Sequence, residues 1–448
     1  MRLNGLELQQ ATQGKWHHGV PKQLDCLKTD SRCFEYGDVF LALHGPNFDG
    51  HSYAPSLVNK ASAFIGDCQG IQKWKGLAVP QLEVQDTLLA LGDIAHAWRK
   101  KLKSTTVVAI TGSYGKTTVR SMLLHVFDTL GVKAVATHAN LNNLIGVPMT
   151  LLGISEDTDI ALIECGISEQ GEMERLSEII CPDIAIFTGI TSAHAEGLGG
   201  LNGVIHEKSQ LLNHLSDHGW CALGLGVREK LQDTSHQCME ICVGYHIDER
   251  QLILSYGDEQ CSLPLPLPAP HWGENMAFVA SIVLQYAQRQ QQHLTLTALS
   301  KCLATWQPVQ GRLQSITGIH GCLILDDSYN ANPTSMQAAL RTLAAMPARR
   351  IAILGDMAEL GDETESAHIQ LDVSQSDLLI LVGKNMYALH QQQAASKWFA
   401  NTADLLSWIG SHPHHFTAED TILIKASRSM KFNQIIHILS RQGDTHAV

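Results

Sequence analysis

The sequence predicts an α/β protein of three domains, and three observations lead to this prediction. Its 448 residues suffice for about three domains of ordinary size. Short apolar runs of strand length alternate with stretches of helical spacing along most of the chain. The apolar runs are nearly continuous, which is typical of parallel sheets covered by helices on both faces.

The first domain is predicted to span residues 1–82 and to be a small α/β unit. Apolar stretches at 39–43, 63–65 and 77–79 are separated by turn residues. Residues 88–103 then have the apolar spacing of a helix and end in a Lys/Arg cluster that suits a helix C-terminus. We expect this helix to open the second domain.

The second domain is predicted to span residues 83–313 and to repeat the order strand, loop, helix. One helix is expected from about Thr117 to Leu130, closed by Gly131, and another at about 275–291, after a proline-rich connector. The apolar strands of its parallel sheet are predicted at 107–111, 132–136, 159–164, 184–188 and 219–223.

The third domain, residues 314–448, is predicted to be a Rossmann-like α/β unit with a second parallel sheet. It has no Gly-x-Gly-x-x-Gly sequence, so a dinucleotide cofactor is not indicated. Its strands are predicted at 321–326, 350–354, 377–382 and 421–425.

Composition and charge argue against several classes of function. The formal net charge is −12, so the chain lacks the basic surface that binds nucleic acid or an anionic membrane. No apolar run approaches the length of a membrane span, and the N-terminus has no apolar signal segment. The 11 cysteines are scattered without a Cys-x-x-Cys pair. We therefore expect a cytoplasmic protein whose reduced cysteines fill the core.

The strand at 107–111 runs into a glycine turn that Lys116 and Thr117 follow at once. The N–H groups of such a turn bind anions, with the lysine on the terminal phosphates of a nucleotide and the threonine hydroxyl on Mg²⁺. Ile110 stands where the standard P-loop has a glycine, so a plain turn that needs positive φ is the alternative. A lysine at the positive end of a helix favours a P-loop-type ATPase domain, because it needs an anion to meet it.

Polar side chains follow three further strands, at the edge where ligands collect in open α/β sheets. Glu164 stands where a Mg²⁺ ligand is wanted, with a helix cap or a salt bridge as the alternative. His194 follows the next strand, although a lone histidine there is more often an ordinary polar group. Asp326 and Asp327 end a third strand, and adjacent aspartates need a cation or N–H donors, so we predict a site there.

These pieces together resemble the Mur ligase family over essentially the whole chain. Within the family the likeness is greatest to the branch that adds D-alanyl-D-alanine, for which 327–336 and 354–361 are the most specific segments. The other segments that carry the resemblance are 29–32, 47–51, 111–118, 140–148, Glu164, 194–196, Lys208, His271 with Asn275, 311–313 and 425–430.

The resemblance implies that the first domain holds a UDP-sugar, the second ATP and the third a dipeptide. The reaction would join D-Ala-D-Ala to UDP-N-acetylmuramoyl-tripeptide through an acyl phosphate, releasing ADP and phosphate. The implied partners are small-molecule substrates, with no nucleic acid and no membrane insertion, and we expect a monomer.

The resemblance also assigns roles to individual side chains. The implied catalytic residues are Lys116, Glu164, His194 and Lys208. The implied ATP-binding residues are Thr111, Gly112, Ser113, Tyr114, Gly115, Lys116, Thr117, Asn275, Arg312, Asp327 and Asn330. The implied Mg²⁺ ligands are Thr117, Glu164, His194 and Lys208. Lys208 would bind the metal as a carbamate, which requires a neutral amine and hence a depressed pKa; an ordinary surface lysine is the alternative.

The resemblance also suggests residues that bind UDP and the dipeptide, and a few positions depart from the residues usual in the family. Ser31 and Asn47 are implied for UDP, whereas Asp356, Ser427 and Arg428 are weaker candidates for the dipeptide, with core or capping roles equally open. The family usually has asparagine where Gly189 and Trp272 stand, and a larger apolar residue at Cys165.

Other functions stay open at this point. The alternatives are a folylpolyglutamate synthetase-like ligase, a nucleotide-gated binding protein without catalysis, and a small-molecule kinase.

Overall fold

The computed structural model describes residues 3–45, 48–191, 195–231, 236–248, 250–347 and 349–441. Three main sheets follow one another along the chain, each with helices beside it. The α/β class predicted from the sequence is confirmed, whereas the domain boundaries at 82/83 and 313/314 stay predictions.

The first sheet has the strand order β1-β7-β6-β3-β2, with β1 antiparallel to β7 and the other pairs parallel. Its strands, with the small hairpin β4–β5, are β1 Lys15–His17, β2 Leu27–Lys28, β3 Val39–Leu41, β4 His44–Gly45, β5 Phe48–Asp49, β6 Ala63–Gly66 and β7 Gln81–Glu83. The helices are α1 Gly5–Thr12, α2 Ala54–Leu57 and α3 Cys68–Lys73.

The apolar stretch at 77–79 precedes a strand rather than forming one, because β7 begins after Pro80. Proline has no N–H to donate to a strand ladder, so it marks the start of this strand rather than its interior. Its carbonyl still accepts a hydrogen bond of 2.9 Å from the N–H of Phe64.

The second sheet is parallel throughout, in the order β13-β12-β11-β8-β10-β9. Its strands are β8 Thr106–Thr111, β9 Ala134–Ala136, β10 Ile160–Glu164, β11 Ile184–Phe187, β12 Trp220–Leu223 and β13 Cys238–Glu240. The helices of this part are α4 Thr87–Arg99, α5 Lys116–Thr129, α6 Gly146–Leu152, α7 Glu172–Ile180, α8 Ala195–Leu198 and α9 Gly200–Ser209.

Both faces of this sheet are buried, as continuous apolar strands require. Val108 and Ile110 of β8 join the core on one face, whereas Val107 and Ala109 join the core on the other. Strand β8 lies between β10 and β11, so the loop after it opens at the point where the strand order reverses. Ligands of open α/β sheets bind at such a point.

An antiparallel sheet that the sequence analysis missed precedes the long helix α10. It consists of β14 Gly244–Asp248, β15 Gln251–Tyr256 and β16 Glu259–Pro264, and it is followed by α10 Pro270–Arg289 and α11 Leu296–Ala304. Its residues are mostly exposed on one face, so the apolar pattern is weak.

The third sheet has the order β17-β18-β22-β19-β20-β21, and only β17 is antiparallel to its neighbour. Its strands are β17 Gln314–Thr317, β18 Leu323–Asp326, β19 Arg349–Gly355, β20 Leu378–Val382, β21 Lys397–Phe399 and β22 Asp420–Lys425. The helices are α12 Pro333–Ala344, α13 Thr364–Ile369, α14 Tyr387–Gln392, α15 Thr402–Ser411 and α16 Asn433–Arg441.

The expectation that every cysteine is reduced fails for one pair. Cys221 and Cys238 face each other in the neighbouring strands β12 and β13, with their Cα atoms 4.6 Å apart, and the structure joins them in a disulfide. The pairing follows from strand register, which the spacing of cysteines along the chain does not reveal. None of the helices in the described ranges combines the length and apolarity needed to cross a membrane.

Candidate active site

The turn between β8 and α5 forms an anion-binding cradle. Gly112 and Gly115 have φ angles of 151° and 78°, a backbone conformation that favours glycine. A Cβ atom on Gly112 would overlap the Thr188 hydroxyl. The described residues supply no side-chain cap to the first turn of α5, so its N–H groups can meet an anion.

The segment after β11 holds this turn in place. Ser113 donates its N–H to the Gly189 carbonyl at 2.7 Å. The Ser113 hydroxyl donates to the Thr191 carbonyl and accepts from the Thr191 N–H, each at 3.0 Å. The Thr188 hydroxyl donates to the Tyr114 carbonyl. The loop is therefore ordered by its own contacts before a ligand binds.

Lys116 lies inside the turn, half-buried, and its Nζ donates to the Gly112 carbonyl at 2.6 Å. Burial lowers the pKa of this lysine, and the nearby Glu164 carboxylate partly offsets the effect. An ammonium shielded from water gains most by meeting an anion, which is the role predicted for Lys116 from the sequence.

Glu164 ends β10 beneath the first turn of α5 and is only 3% exposed. Its carboxylate accepts hydrogen bonds from the Thr117 hydroxyl at 3.1 Å and from Asn142 Nδ2 at 3.1 Å. Arg120 Nε lies 3.4 Å from the same carboxylate. The hydroxyl and the carboxylate form a pair of hard oxygen atoms beside the phosphate turn, which is the donor type that Mg²⁺ prefers.

Lys208, on α9, is 1% exposed, so the alternative of an ordinary surface lysine does not hold. Burial and then the charge of Lys116 lower the pKa of Lys208 well below its usual range. A neutral amine is what carbamate formation needs. His194, the partner implied for Lys208, lies outside the described residues.

The third domain supplies the other wall of the cleft. Lys425 Nζ donates to Asp327 Oδ2 at 2.6 Å and to the Asn330 carbonyl at 2.9 Å. Arg312 stacks on the Tyr329 ring, with Cζ 4.1 Å from the ring centroid, and its Nη2 donates to the Thr117 hydroxyl at 3.2 Å. Arg312, which directly precedes the third sheet, therefore reaches the first turn of α5, and Asp327 and Asn330 line the same cleft.

A cleft of about 260 Å³ lies between these walls. Four buried nitrogens in or beside it have no hydrogen-bond partner among the residues that the structure describes: Arg120 Nε and Nη1, His271 Nδ1 and Arg312 Nε. Burial lowers the pKa of His271 to about 4. Buried polar atoms without a hydrogen-bond partner are rare in native proteins, and at a cleft they point to a ligand-binding site. The residues predicted for the nucleotide that line the cleft are Ser113, Tyr114, Gly115, Lys116, Thr117, Asn275, Arg312, Asp327 and Asn330.

A second cavity adjoins the first and shares the wall formed by 330–332. Ser427 and Arg428, both predicted for the dipeptide, line it. Asp356 does not, because its Oδ1 accepts the N–H groups of Asn385 and Met386 at 3.1 and 3.0 Å. That arrangement favours the structural role for Asp356, one of the two roles left open by the sequence.

Ser31, one of the two residues predicted for UDP, lines neither cavity. Ser31 is half-buried in the first domain, and Asn47 lies outside the described residues. The side-chain ligand atoms of His44, His51 and Asp67 lie within 4.8 Å of one another in this domain. They already hydrogen-bond one another, Asp49 and the Gly70 N–H, so the cluster is explained as a structural network.

Two of the three departures from the family pattern, Gly189 and Trp272, have local explanations. The Tyr114 ring lies against Gly189, where a Cβ atom would be 2.5 Å from the phenol oxygen and 2.7 Å from Cε1. Trp272 is buried and packs edge-to-face on Trp306, with ring centroids 5.4 Å apart. Each position is therefore fitted to an aromatic ring of this chain.

Sequence reasoning missed three contributors to the site. Arg120 lies one turn beyond Lys116 on the same helix, so helical spacing could have identified it. Asn142 lies in the segment 140–148, which carries the family resemblance but has no role assigned from the sequence. Asn332 was seen only as part of a motif, although its Nδ2 donates to the Ser113 carbonyl at 3.1 Å across the two sheets.

Family models match three stretches of the chain. Residues 23–99 match the Mur ligase family catalytic domain, residues 110–283 the Mur ligase middle domain, and residues 311–438 the Mur ligase glutamate ligase domain.

Individual proteins are similar over nearly the full length. The UDP-N-acetylmuramoyl-tripeptide–D-alanyl-D-alanine ligase of Escherichia coli is 33% identical over 95% of this chain and 96% of its own. The crystal structure of MurF from Acinetobacter baumannii covers 98% of both chains at 30% identity, with a TM-score of 0.86. MurF of Thermotoga maritima in complex with ADP shares the fold, with a TM-score of 0.78 at 22% identity, over 94% of this chain and 99% of its own.

Proposed function

The chain belongs to the Mur ligase family, and we infer from this membership that it is an ATP-dependent, ADP-forming ligase. It adds D-alanyl-D-alanine to UDP-N-acetylmuramoyl-tripeptide, the activity named for relatives that match it over nearly the full length. The structural observation that carries this function is the Glu164 carboxylate, held by the Thr117 hydroxyl where a glycine turn opens a helix.

The chemistry requires activation of a carboxylate. A tripeptide carboxylate oxygen attacks the terminal phosphorus of ATP, the bond to ADP breaks, and an acyl phosphate forms. The amine of D-Ala-D-Ala then attacks the carbonyl carbon, a tetrahedral intermediate expels phosphate, and the amine gives up a proton. Positioning and charge neutralisation supply most of the catalysis in such transfers.

We propose that the turn N–H groups and Lys116 bind the terminal phosphates. Asn275, Arg312, Asp327 and Asn330 would hold the rest of ATP, since they line the same cleft. The unpaired Nε of Arg312, which lines the cleft, supports an anionic ligand there. Phosphate oxygens are the acceptors that guanidinium groups match best.

The side chains beside the phosphate turn include the oxygen donors that Mg²⁺ binding requires. Thr117 and Glu164 offer oxygen donors beside the turn, and Lys208 would offer two more as a carbamate, together with His194. When bound, the ion neutralises charge on the transferring phosphate. The buried, low-pKa amine of Lys208 supports the carbamate, because only the neutral amine reacts with carbon dioxide.

The second cavity is the proposed dipeptide site. Arg428 suits a terminal carboxylate, and the shared wall at 330–332 brings the cavity next to the phosphate end of the nucleotide cleft. The proposal includes UDP binding by the first domain and a cytoplasmic monomer.

The decisive experiment is phosphate release by the purified chain with ATP, Mg²⁺, D-Ala-D-Ala and a panel of UDP-muramoyl peptides. Release that requires both substrates and yields the amide in equal amount is expected, and the panel identifies the third residue of the peptide. A stable phosphorylated product without free phosphate would indicate a kinase. ATP binding without turnover would indicate a binding protein, and activity only with glutamate and a folate would indicate a folylpolyglutamate synthetase-like ligase.

A further inference from the structure

The side chain of Tyr114 has no role in the mechanism above, which uses the N–H groups of the phosphate turn and the side chains of Lys116 and Thr117. Its ring is half-buried and lines the nucleotide cleft. It lies between Gly112 and Gly115 in the chain, so it projects from the middle of the anion-binding turn.

The Tyr114 ring lies against the segment that follows β11. It covers Gly189, where the phenol oxygen would be 2.5 Å from any Cβ atom. Glu274, near the start of α10, lines the same cleft as the ring. Glycine at 189 is thus the residue that lets an aromatic ring fill this space.

The covered space adjoins the predicted reaction centre. Residues 189–191 are bonded to the phosphate turn, and Lys116 lies two residues beyond Tyr114. Both ATP and an acyl phosphate can transfer phosphate to water, and ligases prevent this by excluding water until the amine arrives. A flat apolar ring seated on a glycine excludes water well.

We propose that Tyr114 is a positioning residue that keeps ATP consumption coupled to amide formation by shielding the phosphate end of the cleft from water. This proposal rests on the proposed function. Without the ring, a water oxygen attacks the acyl phosphate in place of the amine, phosphate leaves, and the tripeptide carboxylate is regenerated with loss of a proton. The net reaction is then ATP and water to ADP and phosphate.

The test is the ratio of phosphate released to amide formed, measured on the full chain with both substrates. The wild-type ratio should be one. Tyr114→Ala should raise it to about three or more, whatever the absolute rate, whereas Tyr114→Phe, which keeps the ring, should hold it near one.

A substitution at Gly189 that fills the space left by the Tyr114 ring distinguishes loss of shielding from damage to the fold. Gly189→Asn alone forces its side chain against Tyr114 and should lower the rate, but in the Tyr114→Ala background the asparagine fits the vacated space and should bring the ratio back toward one. A ratio of one in Tyr114→Ala, or a raised ratio in Tyr114→Phe, would overturn the proposal. Wild-type protein that makes no amide would instead overturn the proposed function.

Discussion

Arg120 Nε lies 3.4 Å from Oε2 of Glu164, and the side chains of both residues are less than a tenth exposed. The guanidinium forms an ion pair with a carboxylate that is expected to bind metal. Arg120 lies one helical turn beyond Lys116 on α5. The same helix therefore supplies one cation for the expected phosphate ligand and a second cation for the Glu164 carboxylate. A buried charge that loses such a partner is costly.

Arg120→Met is therefore expected to lower the free energy of unfolding by about 3 kcal/mol, because it leaves the Glu164 carboxylate buried with only Thr117 and Asn142 as partners. Urea unfolding with Mg²⁺ removed measures this. The double variant Arg120→Met/Glu164→Gln should recover much of the loss. The exposed pair Arg228–Glu240 is the control, since Arg228→Met should cost less than about 1 kcal/mol. Equal effects at the two pairs would contradict the expectation.

The sequence predicted the parallel sheets well because their strands are buried on both faces and appear as unbroken apolar runs, as β8 and β10 do. It missed β14, β15 and β16, whose exposed faces dilute the apolar signal.

Residues at strand ends, such as Glu164 and Asp327, were predictable from local pattern. Asn332 and Tyr114 were not predicted in their present contacts, because their partners Ser113 and Gly189 lie across a domain contact or on a neighbouring strand end. Contacts of that kind depend on tertiary packing rather than on spacing along the chain.

Lys208→Arg should abolish ligation while ATP still binds. Arginine stays positively charged and cannot form a carbamate, and its larger head group must enter a site that is 1% exposed. The amide-forming rate should fall by about 100-fold or more, whereas the Kd for an ATP analogue should change by less than about 10-fold. The surface lysine Lys133, paired with exposed Asp157, is the control, and Lys133→Arg should alter neither quantity. Full ligation by Lys208→Arg would rule out the carbamate.

The stability of the protein should fall with acid in a window set by His271. Burial lowers the pKa of this histidine to about 4 in the folded state, against 6.5 in an unfolded chain. At pH values between these two pKa values, His271 is protonated in the unfolded chain but neutral in the folded chain. The free energy of unfolding therefore falls as the pH falls from about 6.5 to about 4. The loss amounts to at most about 3 kcal/mol.

Urea unfolding followed by intrinsic fluorescence at several pH values measures this slope. His271→Gln should flatten it, whereas substitution of the exposed His437 by glutamine should leave it as it is. An unchanged slope in His271→Gln would show that other groups cause the acid sensitivity.

Gly112→Ala should impair nucleotide binding more than any other single methyl group added to the phosphate turn. The φ angle of 151° is strained for alanine, and the new Cβ atom would overlap the Thr188 hydroxyl that is bonded to the Tyr114 carbonyl. Relief of that clash has to move the turn, so its N–H groups lose their alignment toward the phosphates. We expect the Kd for an ATP analogue to rise by at least about 10-fold, which corresponds to a loss of about 1.4 kcal/mol of binding free energy.

Gly410→Ala is the matched control, because this helical glycine has open space around its Cβ position. The change should leave nucleotide binding unaltered and raise the stability of the protein slightly. Normal nucleotide affinity in Gly112→Ala, measured by calorimetry, would show that the turn does not bind the phosphates through its backbone.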